Sequence, residues 1–246
     1  MPKIAEASDS DRAERFLRWL VDVAISGTPE LPGGFRLSSA LELADEYLRD
    51  GSYRDNAERV DALIRWETSK SFTAGFLGGL GGVLTIPISL PGTLVAAWVV
   101  QARMAAAIAR IYGHDPREDR VQTFVLLSVL GKFALDAVKK AAEQIGIKLG
   151  AEVLKQIPGR LLIAINQQVG FRLVTKTGQR GIVNLIKGVP LIGGIVGGTI
   201  DAVTCRAAGS LARSLFRRKD LGAGLWAATC PVEAGTTDDR GGVPAG

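Results

Sequence analysis

The side chains able to carry chemistry are few and scattered. One histidine, His114, and two cysteines, Cys205 and Cys230, are the whole stock of soft ligands. Zinc sites need several His, Cys or carboxylate ligands at close spacing, so no metal is expected. A single histidine and the lack of a G-x-S-x-G elbow likewise leave no catalytic set to name. The phosphate-loop pattern fails at Gly131-Lys132, where Phe133 follows the lysine and Leu126 stands in place of the first glycine. Gly222 to Ala227 fits a degenerate dinucleotide fingerprint, but no strand precedes it, so no cofactor is expected. Asp136 and Asp201 sit in apolar context, which can raise a carboxyl pKa. They leave two readings open, a hydrolase with a buried carboxylate or a structural ion pair.

What must position any such group is the stretch Ser71–Ala102, SFTAGFLGGLGGVLTIPISLPGTLVAAWVVQA, which has no ionisable side chain. Leaving it in water forfeits about 25 cal/mol per Å² of apolar area, so it belongs in a protein core or in lipid. Gly75/Gly79 and Gly78/Gly82 form interleaved GxxxG pairs, a small face along which another helix can approach closely. Pro87 and Pro91 interrupt the pattern, because each lacks an N–H and disfavours helix in the residue before it. A helical hairpin is predicted, with limbs Ser71–Ile86 and Gly92–Ile111 of roughly 24 and 30 Å. Against a bilayer core of about 30 Å it fits three settings: a re-entrant or interfacial hairpin, a two-helix span, or a hairpin buried in a soluble bundle.

Charge is distributed around that stretch rather than through it. Residues 1–70 carry 10 basic and 14 acidic side chains, 71–102 none, and 103–220 19 and 8. The positive balance directly after the apolar run suits an anionic membrane surface. Nucleic acid is not expected as a partner, since the basic residues are spread out and lack interleaved aromatics. Two cysteines are too few for a disulfide framework, and MPKIAEASDSDRAERF is polar where a leader's apolar region would stand. The expected place is the cytoplasmic side of the cell membrane, with the cytoplasm itself as the alternative.

Along the chain, residues 1–10 are expected to be frayed. Asp11–Ser26 puts Phe16, Leu20, Val23 and Ala24 on one helical face. Ser39 with Glu42 matches a capping box opening a helix that stops at Gly51. From about Arg54, Val60, Leu63, Ile64 and Glu67 form a face leading into the apolar run. Asp115 and Pro116 read as the cap and first position of a helix, and Lys132, Lys139, Lys140, Lys148 and Lys155 punctuate a longer one reaching Pro158. Those lysines suit either a membrane surface or plain solvation of a core helix. Arg160–Thr177 is a further helix, and residues 221–246 read as disordered.

The opening theme then recurs. In Asn184–Phe216 a proline again precedes a Gly-spaced helix, with GxxxG pairs at Gly193/Gly197 and Gly194/Gly198. Gly75, Gly79, Gly82, Gly193, Gly194 and Gly197 are therefore the predicted packing positions. Arg103 follows Pro91 by 12 residues and Asp201 follows Pro190 by 11, so the two charges are predicted to lie at one depth and to pair. Ile86, Ile88 and Leu90, with the basic Lys187, Arg217 and Arg218, are the predicted membrane contacts.

The ordered combination GFLGGLGGVLTIPISLPG, QARMAAAIARIYGHD and GVPLIGGIVGGTIDAVT, over about Trp66–Phe216, resembles the EcsC family of bacterial proteins. It is also similar to a helical, membrane-associated domain of unknown function found beside some bacterial GTPases, which shares a turn like Tyr112-Gly113-His114-Asp115. The resemblance implies a helical, membrane-associated protein accessory to a transporter or envelope system, and no catalytic residue. The expectation is an all-α multi-helix bundle built around two Gly/Pro-rich apolar hairpins: a flexible start (1–10), an amphipathic cover (11–65), an EcsC-like core (66–219) and a tail (220–246). Its expected role is non-enzymatic, at a membrane face or on lipid and beside a protein partner. The alternative is a soluble bundle enclosing a hydrophobic ligand such as an acyl chain.

Overall fold

The computed structural model describes residues 9–29, 36–80, 86–148, 157–179, 190–218 and 221. Expectations for residues 1–8, Gly82, Lys155, Lys187 and 222–246 lie outside the described residues. Among those described, the chain forms eight α-helices and no strand. They are α1 (Asp9–Ser26), α2 (Ala40–Arg49), α3 (Asn56–Leu80), α4 (Ile86–Ile111), α5 (Asp119–Leu130), α6 (Ala134–Gln144), α7 (Gly159–Gln179) and α8 (Pro190–Phe216). This is the all-α class read from the sequence.

The core is centred on α4 and α5. From Met104 to Ala109 no residue of α4 exposes any surface, and Val121 and Thr123 to Leu130 of α5 are all buried. Helices apolar all round belong in a core, where each fully buried Leu, Ile or Phe contributes about 1.5–3 kcal/mol. The cover is α1 and α2. Leu17, Leu20, Val21 and Ala24 of α1 turn inward, and Phe16 meets Trp98 edge-on at 6.1 Å. Helix α2 opens with the expected capping box: Ser39 Oγ accepts from Glu42 N at 3.0 Å, while Glu42 Oε2 accepts from Ser39 N at 2.8 Å. It lays Leu43 and Ala44 against α4.

Three local expectations are corrected. Pro87 and Pro91 lie inside α4 rather than between two limbs. Pro87 falls in the first turn, where the backbone N–H has no intrahelical partner to lose, so it opens the helix. Asp115 does not cap α5. Its carboxylate accepts from Arg117 N at 2.9 Å and its carbonyl from Glu118 N at 3.1 Å, making a turn that delays the helix to Asp119. The long lysine helix ends at Gln144, closed by Gly146 at a φ of +69° that other residues rarely adopt.

Among the described helices the most extensive pairing joins α3 and α8, the two helices far apart in sequence that carry the GxxxG glycines. They run antiparallel: Asp61 meets Arg213, Ile64 lies against Gly209, Phe72 against Gly198 and Gly75 against Gly197. Helix α3 continues unbroken across residues 65 and 66, where the cover was expected to give way to the core. Both helices outrun the core: from Thr68 to Phe76 no residue of α3 is fully buried, while the buried apolar side chains of α8 include Ala208, Ala212, Leu215 and Phe216 toward its far end.

Candidate functional site

The glycine contact between α3 and α8 closes on backbone. A Cβ placed on Gly75 would lie 2.9 Å from the Gly197 carbonyl oxygen, and one on Gly197 would lie 2.9 Å from that of Gly75. One on Gly198 would lie 2.7 Å from the Phe72 carbonyl oxygen. No side chain fits between the helices here, which is the use foreseen for Gly75 and Gly197. Gly79 on α3 and Gly193 and Gly194 on α8 lie in the continuation of the same two helices, and their contacts fall outside what the structure describes.

Around this closed seam the outward surface is apolar. Phe72 on α3 is 40% exposed, and Ile195, Val196, Ile200 and Val203 on α8 are 52%, 42%, 41% and 61% exposed. The α3 C-terminus, the α8 N-terminus beside it and the α4 N-terminus five residues on in the chain all belong to uncharged sequence. From Ser71 to Leu80 and from Pro190 to Ile200 there is no ionisable group, a length of roughly 15 Å on each helix. Ile86, Ile88 and Leu90 occupy the first turns of α4 at this end. By contrast, Leu94–Ile111 and an 18-residue stretch within Asp119–Gln144 have mean hydropathies of 1.5 and 1.6, apolar enough to cross a membrane by length and composition, yet 67% of each is buried inside the fold.

At the base of the tip lies a buried ionic cluster. Glu67, whose side chain is 1% exposed, accepts at Oε1 from Arg103 Nη2 at 3.0 Å and from Lys70 Nζ at 2.7 Å. Arg103 Nη1 donates to Ser38 Oγ at 2.7 Å and to the Ser38 carbonyl at 3.3 Å, while its Nε is buried without a partner. The cluster ties the entry of α2 to α3 and α4. It also corrects the expected pairing: the carboxylate on Arg103 is Glu67, not Asp201. Equal distance from a proline fixes depth along a helix but not its rotation, and the rotation of α4 turns Arg103 toward α3 and α2. Asp201 faces the seam, with Oδ2 2.5 Å from where a Gly75 Cβ would be. Asp136 is the partner of Arg172, 3.8 Å away.

The remaining reactive groups are structural. Cys205 is 1% exposed, and burial pushes its thiol up despite the hydroxyls of Ser71 and Thr68 beside it, which disfavours a nucleophilic thiolate. His114 Nε2 is 2.9 Å from the Phe216 carbonyl oxygen, so as a donor it caps the C-terminus of α8. Arg217 and Arg218 lie at this same end, roughly 25 Å along α8 from Ile200. They and the Ile86 to Leu90 segment were both expected to contact the membrane; the structure puts them at opposite ends of the α4–α8 pair. Glu67, Ser38, Trp66 and Phe72 were not singled out for a site. The available signal was Glu67 itself, an acid on an otherwise apolar helical face.

The order of these elements is that of a known family. The model of the EcsC protein family matches residues 38–219. The chain belongs to the EcsC family. Its match begins at Ser38, the partner of Arg103, so the EcsC region includes α2 and all of α3, which the sequence resemblance had left partly outside. Neither curated proteins nor solved structures give a match to this EcsC chain.

Proposed function

We propose that this EcsC protein is a non-enzymatic helical anchor at the cytoplasmic membrane face. Its α3–α4–α8 tip enters one leaflet, and its remaining helices are presented to a protein partner. The observation that carries this is the placement of exposed apolar side chains: Phe72, Ile195, Val196 and Ile200 project from a charge-free tip, while Leu94–Ile111 of α4 and the apolar α5 are largely covered. Contiguous apolar surface rimmed by polar groups marks a contact with membrane or protein. The tip's length of roughly 15 Å is half a hydrocarbon core of about 30 Å, which favours a monotopic insertion over a span. An acyl chain enclosed between the two glycine helices has less support, because their backbones meet at Gly75 and Gly197.

The test is flotation of the full chain with liposomes. The parent protein floats, and a Phe72→Glu, Ile200→Glu variant that keeps its helical circular dichroism does not. Recovery of untagged parent protein wholly in the soluble fraction of lysed cells at low salt would overturn the proposal.

A further inference from the structure

Two open troughs on the described surface are both bordered by Trp66 and Ser69 on the outer face of α3. Trp66 is 59% exposed, an unusual cost for a tryptophan unless that surface is covered in use. From it a strip of small side chains, Ser69, Thr73 and Ala74, runs up into the tip. By helical geometry Arg65 and Lys70 stand on either side of Ser69 and Thr73, at about 60° and 200° around α3 from Thr68 against about 100° and 140° for those two, with about 100° between successive residues. Lys70 also sits over the Trp66 ring at 5.9 Å. Below Trp66 the trough ends against Tyr47 and Tyr53, stacked at 5.9 Å. Aromatic residues with basic neighbours at the foot of an apolar insertion match the headgroup level of a bilayer, where Trp and Tyr concentrate.

We propose that this outer face of α3 is a binding site for an anionic phospholipid. Arg65 and Lys70 take its phosphate, Trp66 packs at the glycerol level, and the first part of an acyl chain lies over Thr73 and Ala74. The inference rests on the anchoring reading and adds a ligand to it. The ligand is an anion because two cations border Ser69 and Thr73, and Glu67, the acid against Lys70, already accepts from both Lys70 and Arg103. Arg65 is exposed and makes no ion pair among the described residues, so its charge is available at the surface. Lys70 can leave Glu67 for a phosphate without stranding that buried carboxylate, since Arg103 stays on it.

The experiment measures partitioning of the full chain onto vesicles of phosphatidylcholine alone and of phosphatidylcholine with phosphatidylglycerol, at low salt. The variants are Arg65→Gln with Lys70→Gln and, as a control for bulk charge, Arg217→Gln with Arg218→Gln at the opposite end. The expected result is that the first pair weakens binding to anionic vesicles by roughly 30-fold, at about 1 kcal/mol per cation, leaves binding to phosphatidylcholine unchanged, and is not matched by the control. Equal losses from both pairs, or none from the first, would overturn the site and leave anchoring standing. A parent chain that binds neither vesicle would overturn anchoring and the site together.

Discussion

The two ends of the α3–α8 pair are built alike and placed differently. At the inner end Gly209 admits Ile64 and Met104, with a built Cβ only 2.8 Å from Ile64 Cγ1, and the joint is packed into the core. At the outer end Gly75 and Gly197 bring backbone against backbone, and Phe72 and Ile200 beside them are left exposed. Close helix approach at small residues thus serves both a dry core and an uncovered tip. The difference lies in what surrounds the seam: α4 and α5 at one end, no described helix over the outward faces at the other. Apolar composition therefore does not locate the exposed apolar surface here, because Leu94–Ile111 of α4 and the run of α5, apolar enough to cross a membrane, are largely covered.

The largest expected effect falls where the two ends meet. Glu67→Ala leaves Arg103 buried without a carboxylate and is expected to cost about 3–5 kcal/mol in urea unfolding; Asp201→Ala, away from Arg103, is expected to cost much less. Were the two equal, the ionic cluster would not be the junction between core and tip. Gly209→Ala comes next, at about 1–3 kcal/mol, since its neighbours are side chains that yield only partly. Gly75→Ala confronts backbone at the outer end, and its expected signature is local: faster amide exchange in 72–80 and 190–200 than in α5. Uniform acceleration across the chain would show the tip and core to be one cooperative unit.

A smaller effect is expected at the cover. Ser39→Ala removes the acceptor for Glu42 N and is expected to lower stability by about 1 kcal/mol, read as a shift in the urea midpoint at constant slope. Smallest is a pH dependence. Burial first, then the neighbouring Tyr53, pushes the Tyr47 phenol up to about 12 from its ordinary 10.0. A raised pKa means the folded state holds its proton longer, so the contribution is intact below the ordinary value and is lost as pH rises toward about 12. Phenolate absorbance of the parent against Tyr47→Phe in a pH titration tests this; a difference signal that appears already near pH 10.0 would remove Tyr47 from the buried side of the Trp66 trough.

Local rules were legible in the chain. The capping box at Ser39 and Glu42, the inward face of α1, the buried run of α5 and the meeting of two glycine helices all follow from spacings of three or four residues or from the lack of charge. So was the family, whose model matches residues 38–219. These are properties of single helices, set by backbone geometry and by which side chains can leave water. The tertiary structure alone decided which carboxylate Arg103 takes, that Pro87 opens a helix instead of ending one, and that Arg217 and Arg218 stand at the far end from Ile86. Each depends on how a helix is rotated and on what covers it, and sequence spacing fixes neither, because a buried helix and a membrane-facing one are written in the same apolar residues.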